Sequence, residues 1–298
     1  MAETAPVAME PILGTTLPTG PDWRWQVKWD GIRCLSRVDG DGVRLWSRRG
    51  RAMEWAFGDV AGAVRRALSA RDAVLDGEIV VLGPDGRPSF PLALGRLGRR
   101  GGGPPASYAV FDLLELDGAD MRPRCLDERL GLLAAHLRPG GGIHPVETRA
   151  DGGPGMLRAV AELGMEGVVA KRAAAPYVPG HSPHWLKFKV RRRLLAGVGG
   201  YRPSGTGGLR SLCLVHPAPD GWTYLGDAGA GLSLAQADGW LAALAALPPW
   251  EPPFTPPAGR RWVRPCHQVQ VTFAEFTPDG RLRAPALVRA DPPTSAEA

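Results

Sequence analysis

Over residues 22–47 (DWRWQVKWDGIRCLSRVDGDGVRLWS) apolar and polar positions alternate, with Trp25, Val27 and Trp29 on one side and Lys28 and Asp30 on the other. Alternation of period two predicts strands folded about the DGDG turn, with the lysine pointing away from the tryptophans. Residues 54–69 change to helical spacing, and residues 73–82 (AVLDGEIVVL) return to a strand that stops at a GPDG turn. Beyond the loop GRRGGGPP the pattern predicts a strand over 106–116, amphipathic helices over 127–137 and 154–163, and short strands over 166–172 and 184–190. Strands and helices in this irregular order point to an α+β domain rather than a doubly wound sheet.

Past the basic run at 191–193 the pattern becomes a series of short strands with one helix, expected over 234–247, and a Pro-rich segment, PPWEPPFTPP, at 248–257. About a hundred residues of this kind fit a small barrel of the oligonucleotide-binding type. The expected domains are therefore 1–192 and 193–298, with a frayed tail, DPPTSAEA.

Composition narrows the classes. Of 298 residues 44% are hydrophobic, as in a folded protein, and the net charge of +6 favours a polyanionic partner. Four dispersed cysteines without a C-x-x-C pair argue against a zinc site or a disulfide framework, and fit a reducing cytoplasm. The N-terminal residues lack the pattern of a secretory signal, and no apolar run is long enough to span a bilayer, so membrane insertion is not expected.

The basic residues are the most informative. Of 36, only Lys28, Lys171, Lys187 and Lys189 are lysine, and the other 32 are arginine. Positions that keep an amine are candidates for what a guanidinium cannot do: lose a proton, attack an electrophile, or make point contact with a crowded phosphate. Lys28 opens KWDGIR (28–33). Four segments follow: SRRG (47–50), LDGEIV (75–80), EGVVAKR (166–172) and WLKFK (185–189). On a strand Lys187 and Lys189 share a face, and two such cations repel unless an anion lies between them. Glu78 and Glu166, each expected on a strand beside glycine, are the chosen metal ligands. The chemistry implied is metal-assisted nucleotidyl transfer, in which a lysine attacks an α-phosphate. Lys171 falls on the strand face opposite Glu166, a candidate DNA or surface contact.

Together these segments resemble the ATP-dependent DNA ligases of the covalent nucleotidyltransferase superfamily, and most closely the ligase module of bacterial end-joining ligases. The resemblance covers about residues 9–292. It implies an ATP-grasp-like nucleotidyltransferase domain followed by an OB-fold β-barrel, with Lys28 as the adenylated residue. It also implies that Arg33 lies near the nucleotide, Arg48 at the ribose or nick phosphate, Glu78 at the ribose and metal, and Phe111 against adenine. Glu166 becomes a metal ligand, and Lys187 and Lys189 become α-phosphate contacts. Gln26 stands where this branch has a glutamate that contacts adenine. The last motif, R-x-D-K, reads RADP here, so that Arg289 remains as its cation and Pro292 replaces its lysine. The implied cofactors are ATP with Mg²⁺ or Mn²⁺. The implied partners are nicked or broken double-stranded DNA and a bacterial end-binding repair protein, for a cytoplasmic, nucleoid-associated monomer acting in repair. RNA ligation or mRNA capping is the alternative reading among enzymes, and a non-catalytic nucleic-acid-binding module is the alternative outside them.

Overall fold

A computed structural model describes residues 5–98, 102–219, 221–277 and 279–293, so the last five residues of the expected frayed tail and residues 99–101 of the expected loop lie outside the described residues. Contacts divide the chain into two units, Met1–Val190 and Arg191–Ala298. The division falls two residues before the expected 192/193, and the Val190 amide still donates to the Glu166 carbonyl in the first unit.

The first unit runs β1 (Met9–Leu13), β2 (Trp23–Lys28), β3 (Ile32–Asp39), β4 (Gly42–Ser47), α1 (Gly58–Ala67), β5 (Ala73–Val81), α2 (Phe90–Gly98) and β6 (Ala106–Leu116). It continues with β7 (Ala119–Asp120), α3 (Leu126–His136), β8 (Ile143–Pro145), β9 (Thr148–Arg149), α4 (Pro154–Glu162), β10 (Gly167–Arg172) and β11 (Gly180–Lys189). One sheet has the order β1-β11-β10-β2-β9, and the other has the order β4-β3-β5-β6-β7 with β8 added parallel to β6. β5 is buried along almost its whole length, as a central strand between covered faces should be. On one side α1, α2 and α3 close over Leu45, Leu75, Ile79 and Val110. Met156, Leu157 and Val160 of α4 pack with Trp23, Trp25 and Phe188 on the other sheet. Met9, Leu35, Val74, Leu114, Val169 and Trp185 fill the space between the sheets.

Helix α2 has no counterpart in the hydrophobic pattern, because Pro91 and two glycines weaken its signal. Proline in a first turn is nonetheless tolerated, since the amide it lacks would be unpaired there. Arg96 then anchors the helix, donating to both carboxylate oxygens of Asp59 on α1 at 2.8 and 2.9 Å and to the Ala56 carbonyl. A second buried guanidinium joins the two sheets. Arg129 of α3 grips Asp112 of β6 at 2.7 and 3.0 Å and donates to the carbonyls of Arg124 and of Ala175, in the loop before β11.

The second unit is an antiparallel sheet of β12 (Arg192–Pro203), β13 (Leu209–Ala218), β14 (Gly221–Ala228), β15 (Arg261–Trp262), β16 (Gln268–Phe273) and β17 (Ala286–Arg289), in the order β14-β13-β12-β16-β17 with β15 on β12. Its one described helix, α5 (Leu234–Ala245), starts at a capping box in which Ser233 and Gln236 satisfy each other's amides. Trp240 and Leu244 of α5 enter the core. No helix among the described residues is long and apolar enough to cross a membrane.

Candidate active site

The two sheets of the first unit meet at a pocket with about 460 Å³ of empty space, open to solvent. From one sheet β2 contributes Gln26 and Lys28, β10 contributes Val169 and Lys171, and β11 contributes Trp185. From the other come Arg33 on β3, Glu78 on β5 and Phe111 on β6.

Lys28, the last residue of β2, is paired in register with Gly167 of β10. That glycine has φ of 154°, and a Cβ there would lie 2.1 Å from the Phe188 carbonyl oxygen, so a side chain is excluded. Glu166 therefore precedes β10 rather than belonging to a strand as expected, and its carboxylate turns toward the end of β2. The Lys28 ammonium donates to one carboxylate oxygen of Glu166, and Lys189 pairs with the other at 2.7 Å. Lys187 stands on the same face of β11. Partial burial, then repulsion from Lys189 and Lys28, lowers its pKa. Three amines around one carboxylate suit an anion carrying several charges.

Across the pocket, Arg33 forms a double hydrogen bond with Asp76, both distances 2.6 Å, and donates to the Met9 carbonyl at 2.8 Å. Its guanidinium lies 4.6 Å from the Phe111 ring centroid. Loss of hydration pushes the Glu78 carboxyl up to about 7; Arg33 and Lys28 pull it down, whereas Glu166 and Asp76 push it further up. Gln26, 2% exposed, donates its amide nitrogen to Thr148 Oγ1 at 2.8 Å, which leaves its carbonyl oxygen as the acceptor.

Lys171 is a correction to the sequence reading. It is neither a surface residue nor placed to touch DNA, because it is 2% exposed and lines the pocket. Its amine donates to the Phe111 carbonyl at 3.1 Å and lies 3.9 Å from the Trp185 ring and 4.4 Å from the Phe111 ring. Burial draws it down to about 7 against the pull of Asp112 and Asp76. The scarcity of lysine was the available signal, since all four lysines of the chain lie at this site. Arg48 is at 3.0 Å from Glu10 and is not among the residues lining the pocket. Arg289 is exposed on β17 of the second unit, where it pairs with Gln270.

Among the described residues no group of three or more His, Cys, Asp and Glu side chains forms a metal cage. Glu78 and Glu166 do suit Mg²⁺, which is commonly held by one or two carboxylates and completed by water and substrate phosphate. Glu166 would exchange its ammonium partners in doing so.

The family ATP dependent DNA ligase domain matches residues 15–189, and the family ATP dependent DNA ligase C terminal region matches residues 205–291. The chain belongs to the ATP-dependent DNA ligases. This ligase is 32% identical over 274 residues to the multifunctional non-homologous end joining protein LigD of Mycolicibacterium smegmatis, a match that covers 89% of the chain and 35% of that relative. It thus spans about a third of the length of such relatives. A probable DNA ligase of Sorangium cellulosum is 35% identical over 222 residues, covering 69% of the chain and 41% of that protein. A solved mycobacterial DNA ligase D complexed with ATP and MES has a TM-score of 0.56 at 31% identity, covering 97% of this chain and 95% of that one. The ligase domain of M. tuberculosis LigD has a TM-score of 0.55 at 30% identity, covering 95% and 94%. The two units of this ligase are a nucleotidyltransferase domain and a C-terminal OB-fold domain, and it is an ATP-dependent enzyme.

Proposed function

We propose that this ligase seals breaks in double-stranded DNA in bacterial end joining, through AMP carried on Lys28. The observation that carries the reading is the Lys28 amine held on Glu166, with Lys187 and Lys189 beside it, at a pocket that Lys28 lines together with Phe111 and Trp185. Three steps follow. Having lost a proton, Lys28 Nζ attacks the α-phosphorus of ATP, a P–N bond forms, and pyrophosphate leaves. The AMP passes to a DNA 5′-phosphate with release of the amine, and the neighbouring 3′-hydroxyl then displaces AMP to close the strand. Lys187 and Lys189 neutralise α-phosphate oxygens, Arg33 and Gln26 fix the nucleoside, and Phe111 lies against the base. Arg48 reaches the ribose or nick phosphate, and Arg289 serves the departing pyrophosphate. Glu78 and Glu166 would hold a divalent ion, which when bound supplies positive charge to the phosphates. The LigD relatives, described as non-homologous end joining proteins, support an end-joining setting, in which an end-binding repair protein is the proposed partner.

Intact mass after incubation with ATP and Mg²⁺ tests the first step. The wild-type chain should gain one AMP, and Lys28→Arg, which keeps charge but has no free amine, should gain none and seal nothing. An adduct of normal yield on the variant would remove Lys28 from its role. A preference for GTP or for nicked RNA would favour capping or RNA ligation instead.

A further inference from the structure

Trp29 follows Lys28 and lies just beyond the end of β2. Its ring packs on the cluster of Val80, Ala109 and Val146, on which Phe111 also packs, and stands edge-on to His144 with centroids 5.6 Å apart. This is the setting of a core tryptophan, but its polar atom does not fit that role. The indole Nε1 is buried and has no acceptor among the described residues, while the residue itself lines the pocket shared with Lys28, Gln26 and Phe111. A buried N–H without an acceptor is costly, and a phenylalanine would supply apolar bulk without that cost. An acceptor brought by the ligand resolves the difference.

The surroundings define that acceptor. The phosphate charge is drawn to the lysine cluster around Glu166, whereas Trp29 packs on an apolar cluster and lines the same pocket as Phe111, against which a base would lie. The acceptor is therefore an uncharged atom, either a ring nitrogen of the base or a hydroxyl oxygen of the ribose. We propose that the Trp29 indole N–H donates a hydrogen bond to the nucleoside portion of ATP and so contributes to nucleotide selection. The inference rests on the proposed binding of ATP in this pocket.

The test measures the ATP concentration that half-saturates lysyl-AMP formation in single turnover, using the 298-residue chain. Trp29→Phe removes the donor and keeps an aromatic ring, and the loss should fall mainly on half-saturation, at roughly tenfold. The same measurement is repeated with 1-deaza, 3-deaza and 7-deaza ATP and with 2′-deoxy and 3′-deoxy ATP. One analogue should be weakened by a similar factor in the wild-type chain and no further in Trp29→Phe. Penalties that multiply for every analogue would assign Trp29 to packing and overturn the proposal. So would wild-type binding of all five analogues as tight as that of ATP, a result that needs no variant. Should Trp29→Phe fail to fold, Trp29→Met provides a donor-free chain of different shape for the same cycle. A wild-type chain that forms no lysyl-AMP would overturn the reading of function itself; normal adduct with multiplying penalties overturns only the role of Trp29.

Discussion

The Lys171 amine, drawn down to about 7 by burial, carries a cost that depends on pH. Between about 7 and the ordinary lysine value of 10.5 the unfolded chain holds a proton there that the folded chain has released. The penalty is therefore complete below pH 7, shrinks as pH rises, and is gone above 10.5. Lys171→Met keeps the length of the side chain and removes the charge. It should stabilise the nucleotide-free protein at pH 6 by roughly 1–3 kcal/mol, after allowance for the lost contacts with the Phe111 carbonyl and the two rings. By pH 10 the gain should have largely vanished. Denaturant midpoints at the two values check this, and a gain independent of pH would mean that the amine titrates alike in the folded and unfolded chains. The same substitution should impair ATP use, because the carbonyl and ring of Phe111 both lean on this amine.

Element α5 explains what proline does in the last motif. At Gly239 a Cβ would come 2.7 Å from Pro292 Cγ and 3.1 Å from its Cβ, so the proline ring sits directly on the helix. The preceding residues are fastened to the same helix: Trp240 Nε1 donates to the Ala290 carbonyl at 2.8 Å and Gln236 to Asp291 at 3.1 Å. Pro292 is thus a packing residue rather than a gap. Gly239→Ala should lower stability by about 1–2 kcal/mol through overpacking, despite its better helix propensity. Adding Pro292→Ala should restore stability to the wild-type level or above. Urea melts of the two variants decide it, and an unchanged single variant would show that the segment yields at no cost. Such pairings mark the limit of reading the sequence. Lys28, Glu78 and the 187/189 pair were legible because strand alternation fixes their faces, Glu166 was legible only from its place beside Gly167 and not from the strand expected for it, and β5 and β6 were legible from continuous apolar runs. Helix α2 was hidden by its proline and glycines. The depth of Lys171 depends on how closely two sheets approach, which no local period encodes, and the partner of Gly239 lies 53 positions away.

For the whole molecule, charge and packing set different constraints. The net charge of +6 divides evenly between the two units, +3 on each, so DNA phosphates should be held by arginines of both. Sealing of nicked duplex at low concentration should fall steeply between roughly 50 and 200 mM salt, because bound counterions are released on association. Lysyl-AMP formation from saturating ATP, measured without DNA, should fall much less. Equal salt dependence of both would place the effect on the nucleotide step. The Arg129–Asp112 pair has a different kind of consequence. Both side chains are fully buried, and the guanidinium joins β6, the turn before α3 and the loop before β11. Replacing either partner alone leaves an uncompensated charge, at a cost of about 3–5 kcal/mol, whereas replacing both by apolar residues of matching volume is often neutral or favourable. Arg129→Met should therefore be severely destabilised and Arg129→Met with Asp112→Leu should not, as thermal melts would show. A lineage that changes one codon at a time meets a valley between these two workable states, so the ion pair can endure through the order in which mutations arrive, independently of any advantage over its apolar replacement.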